Sequence, residues 1–184
     1  MNSSKTIRQH SQPHRQRRVW HRLSVAVCLS LTTALGWAAP ALLSTPAAAV
    51  RADENWIANA VEELKNSGDR WIQIDLSSQT LTAWEGDQPV YSVSVSTGRA
   101  GERTPTGVFE IQSMHRTARM TGPNYDIPDV PYVMYYDGNY GIHGTYWHNS
   151  FGTPVSNGCT NVAVNHAAWL FDWASYGTPV VVQR

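Results

Sequence analysis

Cysteine is scarce in this chain, with two among 184 residues, and one of them, Cys28, lies in an apolar N-terminal stretch. Cys159 is thus left without a partner in the rest of the chain, which excludes a disulfide framework as the source of the fold. Basic residues are also few beyond position 49, eight against fourteen acidic ones. A mildly acidic domain without a basic patch argues against nucleic acid as the partner. No internal repeat occurs, nor any low-complexity run beyond the leader, which excludes solenoid arrays and repeat-built wall-binding modules. What the sequence does contain is an unpaired thiol in Ser156-Asn157-Gly158-Cys159-Thr160-Asn161, sixteen residues after His143.

Residues 1–49 are of the opposite sign. They hold Lys5, Arg8, Arg15, Arg17, Arg18 and Arg22 and no acidic residue, then an apolar run from Leu23 to Leu43 broken by Gly36 and Pro40, then Ala47-Ala48-Ala49. A basic region, an apolar region and small residues at a cleavage position read as a secretory signal peptide. The apolar run approaches spanning length, so an uncleaved anchor is the alternative, and only then is a membrane a partner. Arg17-Arg18 raises the twin-arginine route, which the flanking residues fit loosely. Val27 before Cys28 argues against a lipid-modified cysteine. In either form the remainder is expected to work outside the cytoplasm.

About 135 residues follow Ala49, enough for one domain with a single core. Asp53 can cap a helix whose apolar positions are Trp56, Ile57, Ala60, Val61 and Leu64, with Asn66-Ser67-Gly68 as its stop. The helical segment is therefore placed at 50–70 and the main domain at 71–184. From Trp71 the period changes to two. Trp71–Leu76, Thr80–Trp84 and Val90–Val95 read as a three-strand meander with turns between, the rhythm of a sandwich or barrel. Gly98 to Gly107 reads as a loop and Val108–Ser113 as a strand. Residues 114–131 hold prolines and no sustained period, and read as a long lid-like loop. Strands are expected at Tyr132–Tyr136 and Tyr140–His143 around Asp137-Gly138-Asn139, a short helix at His166–Ser175, and a closing strand at Pro179–Val182. The expected fold is mostly β, with short peripheral helices.

A thiol attacks a carbonyl as its thiolate, so Cys159 needs a neighbour that accepts its proton. His143, at the end of an expected strand, and His148, on the loop after it, compete for that role. Gly158 permits a tight turn that can aim successive N–H groups at one point, as an oxyanion site requires. Ser156 and Asn157 can tie the loop's backbone and Asn161 can hold its far side. The competing readings are a small buried thiol in a turn and a zinc site of His143, His148 and Cys159, although their spacing matches no common zinc pattern. His115 and His166 read as ordinary polar residues.

Ile142-His143-Gly144-Thr145 together with Ser156-x-Gly158-Cys159-x-Asn161 resembles the active-site signature of the L,D-transpeptidase catalytic domain, the YkuD-type family. Ile74–Leu81, Ser96-Thr97-Gly98 and Thr104–Phe109 resemble that family's earlier stretches, so the likeness runs from about Trp71 to Val182. The resemblance implies a β-sandwich and a cysteine acyl transfer on bacterial peptidoglycan, in the periplasm or cell wall, with donor and acceptor stem peptides as partners and with no cofactor or metal. It makes Cys159 the nucleophile and His143 the proton donor and acceptor, held through the backbone carbonyl of Gly144, with the N–H groups of Gly158 and Cys159 at the oxyanion. Ser156, Asn157, Asn161, Trp147 and His148 would line the substrate site. The family usually has histidine where this chain has Asn157, and many members have arginine where it has Asn161. An amide does not titrate near neutrality, so position 157 supplies no base. Water as acceptor would make the reaction a carboxypeptidase. Attachment of an envelope protein and an inactive wall-binding module are the other readings.

Overall fold

The computed structural model describes residues 46–184, with side chains from Asn55 onward. The expected signal segment, Cys28 and Arg17-Arg18 lie outside the described residues, apart from the last positions of that segment. The first helix, α1 (Pro46–Ser67), begins upstream of Asp53, so that residue does not start it. Three strands follow as the meander expected from the period of two: β1 (Arg70–Asp75), β2 (Thr80–Glu85) and β3 (Gln88–Ser94). Then come β4 (Gly107–Glu110), β5 (Ser113–Gly122), β6 (Tyr125–Asp137), β7 (Tyr140–Thr145), β8 (Thr160–Ala163), α2 (Val164–Trp173) and β9 (Pro179–Gln183).

The strands form two sheets, in the orders β3-β2-β1-β9-β4 and β5-β6-β7-β8. The fold is mostly β, as expected. Its core lies between the sheets. Ile72, Ile74, Leu81, Val93, Val180 and Val182 of the first meet Met134, Tyr136, Ile142 and Val162 of the second, with Ala167 and Leu170 of α2. Alternation along β1 and β9 sends Trp71 and Val181 to the other face of the first sheet, where Ile57 and Val61 of α1 cover them. Trp71 is fully buried. Its indole N–H donates to the Gly86 carbonyl at 2.8 Å, and its ring stacks on Trp84 at 5.3 Å.

The lid-like loop expected at 114–131 is instead a long hairpin of β5 and β6, turning at Pro123-Asn124. Its distal part leaves the core, so both faces of those strands are partly exposed and no strict alternation marks them. Pro128 and Pro131 lie within β6, Asp129 and Tyr132 take positive φ, and the register shifts between Ala118 and Met120. Those are the features of a bulged strand, and prolines in a strand belong at bulges or edges. The strand expected at Val108–Ser113 is two: it breaks at Ile111-Gln112 and passes from one sheet to the other. Strand β8 had no expectation attached to it.

β8 positions the site. It pairs with β7 in parallel, with Ile142 opposite Thr160 and His143 opposite Asn161. A parallel pair cannot be joined by a tight turn, and here residues 146–159 make the return. The start of β8 is also held from the first sheet's side, where Ser96 and Asn161 exchange backbone N–H bonds at 2.9 and 2.8 Å.

Candidate active site

The parallel register places Cys159, immediately before β8, at the level of Gly141 of β7, two residues before His143. Cys159 is a free, half-buried thiol whose Sγ donates to the Asn139 carbonyl at 3.5 Å. Burial pushes the thiol above its ordinary value, and the Gly141 N–H pulls it partly back. His143 is 2% exposed. Burial is the main force on its imidazole too; with the nearby His148 it outweighs the Gly144 bond and lowers the pKa to about 4. Nδ1 lies 3.1 Å from the Gly144 carbonyl. A carbonyl only accepts, so Nδ1 carries the proton and Nε2 keeps its lone pair. The resting pair is therefore a neutral thiol and a neutral imidazole.

Gly144 contributes more than a carbonyl. A Cβ there would lie 2.8 Å from Pro131 Cγ of β6 and 3.4 Å from Ala167 Cβ of α2, so the strand can sit between these elements only as glycine. Gly158 has φ +120°, and a Cβ on it would lie 2.6 Å from the Tyr140 ring. Backbone freedom and close approach are both needed at that position.

The loop is tied from within. Ser156, expected to touch substrate, is buried; its Oγ donates to the Cys159 carbonyl and accepts the Gly158 N–H at 3.0 Å. That N–H, expected at the oxyanion, is thus engaged inside the loop. Thr104 Oγ1 donates to the Gly158 carbonyl at 2.7 Å. Asn157 is exposed beside the thiol in sequence.

Trp147 lies over His143 with ring centroids 5.8 Å apart and 28° between planes, and is itself 37% exposed. It shields the imidazole while keeping an open face. His148 accepts the Ser150 N–H on Nδ1 at 3.1 Å, so its proton is on Nε2, 2.8 Å from the Asn161 amide. The amide then accepts through its oxygen. His148 and Asn161 thus brace each other, and both ring nitrogens of His148 are engaged. Nor do His143, His148 and Cys159 form a metal set: among the described residues no group of three His, Cys, Asp or Glu side chains is placed to hold an ion.

Sequence reasoning missed a ring of tyrosines. Tyr125 at the hairpin tip and Tyr135 have phenols raised first by burial and then by the nearby Cys159, and Tyr140 packs under Gly158. Six of the eight tyrosines fall between 125 and 146, a clustering visible in the sequence. Tyr146 fastens the loop to the hairpin, its OH donating to the Pro128 carbonyl at 2.7 Å. Cys159 and His143 thus lie among aromatic side chains, with Trp147 over the imidazole and Tyr140 against Gly158.

The YkuD family model, described as L,D-transpeptidase catalytic domain, matches residues 69–182. L,D-transpeptidase 1 of Mycobacterium tuberculosis is 30% identical over 130 residues, which cover 63% of this chain and 51% of that protein. The chain thus spans about half the length of that curated relative. Among solved structures, an L,D-transpeptidase from Mycobacterium smegmatis superposes with a TM-score of 0.60 at 25% identity, covering 63% of this chain and 59% of that one. The L,D-transpeptidase LdtMt1 in complex with imipenem superposes with a TM-score of 0.58 at 27% identity, covering 61% and 58%.

Proposed function

The chain belongs to the L,D-transpeptidase catalytic-domain family, and from that premise we propose that it is an exported cysteine acyltransferase acting on peptidoglycan stem peptides. One observation carries the reading. The register of β7 and β8, with Thr160 opposite Ile142 and Asn161 opposite His143, supports a partnership of Cys159 with His143, whose Nδ1 is engaged by the Gly144 carbonyl so that Nε2 is left to take a proton. The leader of basic, apolar and small residues supports export.

The reaction follows from the two neutral groups. As Sγ attacks the carbonyl carbon of the third residue of a donor stem, the thiol proton passes to His143 Nε2. The carbonyl oxygen becomes an oxyanion, for which the Cys159 N–H is the donor not already engaged inside the loop. Collapse of that intermediate breaks the amide bond, and the departing D-Ala amine takes the proton from His143. The acyl group is now a thioester on Cys159. An amine of a second stem attacks it and gives its proton to His143. The C–S bond breaks, and the thiol is restored with a 3→3 cross-link formed. Trp147 and the tyrosines exclude water around the thioester, which favours the amine over hydrolysis.

The test is mass spectrometry of the protein after incubation with imipenem and with a defined disaccharide-tetrapeptide. A covalent adduct on Cys159, absent in Cys159→Ala, and a cross-linked dimer with loss of D-Ala are the expected results. Products ending as tripeptides alone would assign a carboxypeptidase. A wild-type protein forming neither adduct nor thioester would defeat the acyl-transfer reading and leave a wall-binding module.

A further inference from the structure

A second site lies behind the catalytic loop. A cavity of about 360 Å³ is walled by Arg99, Arg103 and Arg184, with Ser77, Gln79 and Thr97 among the residues at its base, and no acidic side chain lines it. We propose that this cavity binds an oxyanion-bearing ligand, one that presents phosphate or carboxylate groups to the three guanidinium groups.

The distribution of charge is the first support. The domain after position 49 is acidic overall. Among the described residues, Lys65, Arg70, Arg116 and Arg119 each form an ion pair with an acid. Arg99, Arg103 and Arg184 form none and share one cavity. The sequence showed no basic patch because position 184 is far along the chain from 99 and 103; the fold assembles one. Arginines lining one concave surface focus positive potential there, and a guanidinium's planar fork matches phosphate and carboxylate oxygens in pairs. The volume is within the range of small-molecule sites.

The second support is that the site is built. Gln79 is 4% exposed and adopts φ 55°, a region that side chains other than glycine rarely occupy. Its amide donates to the Leu76 carbonyl and Thr97 Oγ1 and accepts the Thr97 N–H at 2.9 Å, which holds it in place. The arginine loop is closed just as tightly. Glu102 N–H donates to the Arg99 carbonyl at 3.0 Å, and a Cβ on Gly98 would lie 1.9 Å from the Glu102 carbonyl. Glu102, the acid in that loop, is not among the residues that line the cavity.

The cavity is joined to the catalytic strap. Arg99 N–H donates to the Ser156 carbonyl at 3.1 Å, and Ser156 N–H to the Thr97 carbonyl at 3.1 Å. A ligand held by Arg99 therefore sits one backbone bond from the turn that carries Cys159. Any effect on acyl transfer rests on the function proposed above; binding does not.

The experiment is isothermal titration of the full chain with inorganic pyrophosphate and, separately, with citrate, at low ionic strength. Saturable binding of at least one probe is expected, about tenfold weaker in Arg99→Gln/Arg103→Gln and unchanged in Arg116→Gln. Both arginines of the double variant are exposed, so folding is not at stake. The probe that binds more tightly identifies the group as phosphate or carboxylate. Cys159→Ala should bind as the wild type does, so a failure of the catalytic reading leaves this result intact. Absence of saturable binding by either probe, an equal loss in Arg116→Gln, or no loss in the double variant would overturn the proposal.

Discussion

At the scale of the residue, the state of the thiol decides how the site works. A cysteine beside a protonated histidine is a preformed thiolate and reacts at any neutral pH. Here burial opposes charge on both partners, raising Cys159 and lowering His143 to about 4. On the proposed mechanism the proton leaves during the attack rather than before it. Alkylation of Cys159 by iodoacetamide should accordingly be slow at pH 7 and climb steadily towards pH 9, as the thiolate fraction grows. Peptide mapping of the alkylated protein over that range checks it, and a rate flat from pH 6 to 8 would indicate an ion pair instead. On the proposed mechanism Asn157 need supply no base, since the free nitrogen of His143 is set by Gly144. Cys159 and His143 were readable from the motif. The engagement of Ser156 and of the Gly158 N–H inside the loop was not, because it depends on which way a hydroxyl points in a folded turn.

At the scale of the element, β7 is the reference for the site. It is fixed on one side by β6, on the other by β8, and across its face by α2, and Gly144 is where β6 and α2 approach it most closely. Gly144→Ala forces a methyl against Pro131 and Ala167. Overpacking of this kind costs about 1–3 kcal/mol, and it displaces the carbonyl that orients His143. A lower melting temperature together with slower carbapenem acylation is the expected outcome, measured by thermal melting and intact mass; unchanged acylation would show that the carbonyl is dispensable. The meander of β1 to β3 was legible because one face of each strand meets the core and the alternation survives in the sequence. The β5–β6 hairpin was not, since its far end is exposed on both faces and interrupted by prolines and positive-φ residues. Four residues of β8, three of them buried, are too few to display a period.

At the scale of the whole molecule, burial of the His143 imidazole couples stability to pH. The folded pKa of His143, about 4, lies below the unfolded value of 6.5. Below pH 6.5 the unfolded chain therefore binds a proton that the folded one refuses, so stability is present above 6.5 and is lost as pH falls towards 4. The shift corresponds to on the order of 3 kcal/mol. Urea unfolding at pH 7.5 and 4.5 should show a larger acid loss in the wild type than in His143→Gln; equal losses would assign the effect to other groups, such as His148, whose imidazole burial also lowers. Local chemistry is what the chain spells out directly: strands with one buried face, turns at glycine and asparagine, a thiol in a glycine turn, and a histidine at a strand end. Those signals extend over a few residues, and a few residues suffice to read them. The parallel pairing of β7 with β8, the tyrosine ring, and the gathering of Arg184 with Arg99 and Arg103 came only with the packed sheets. Each joins residues distant along the chain, through hydrogen bonds and burial that no local pattern encodes.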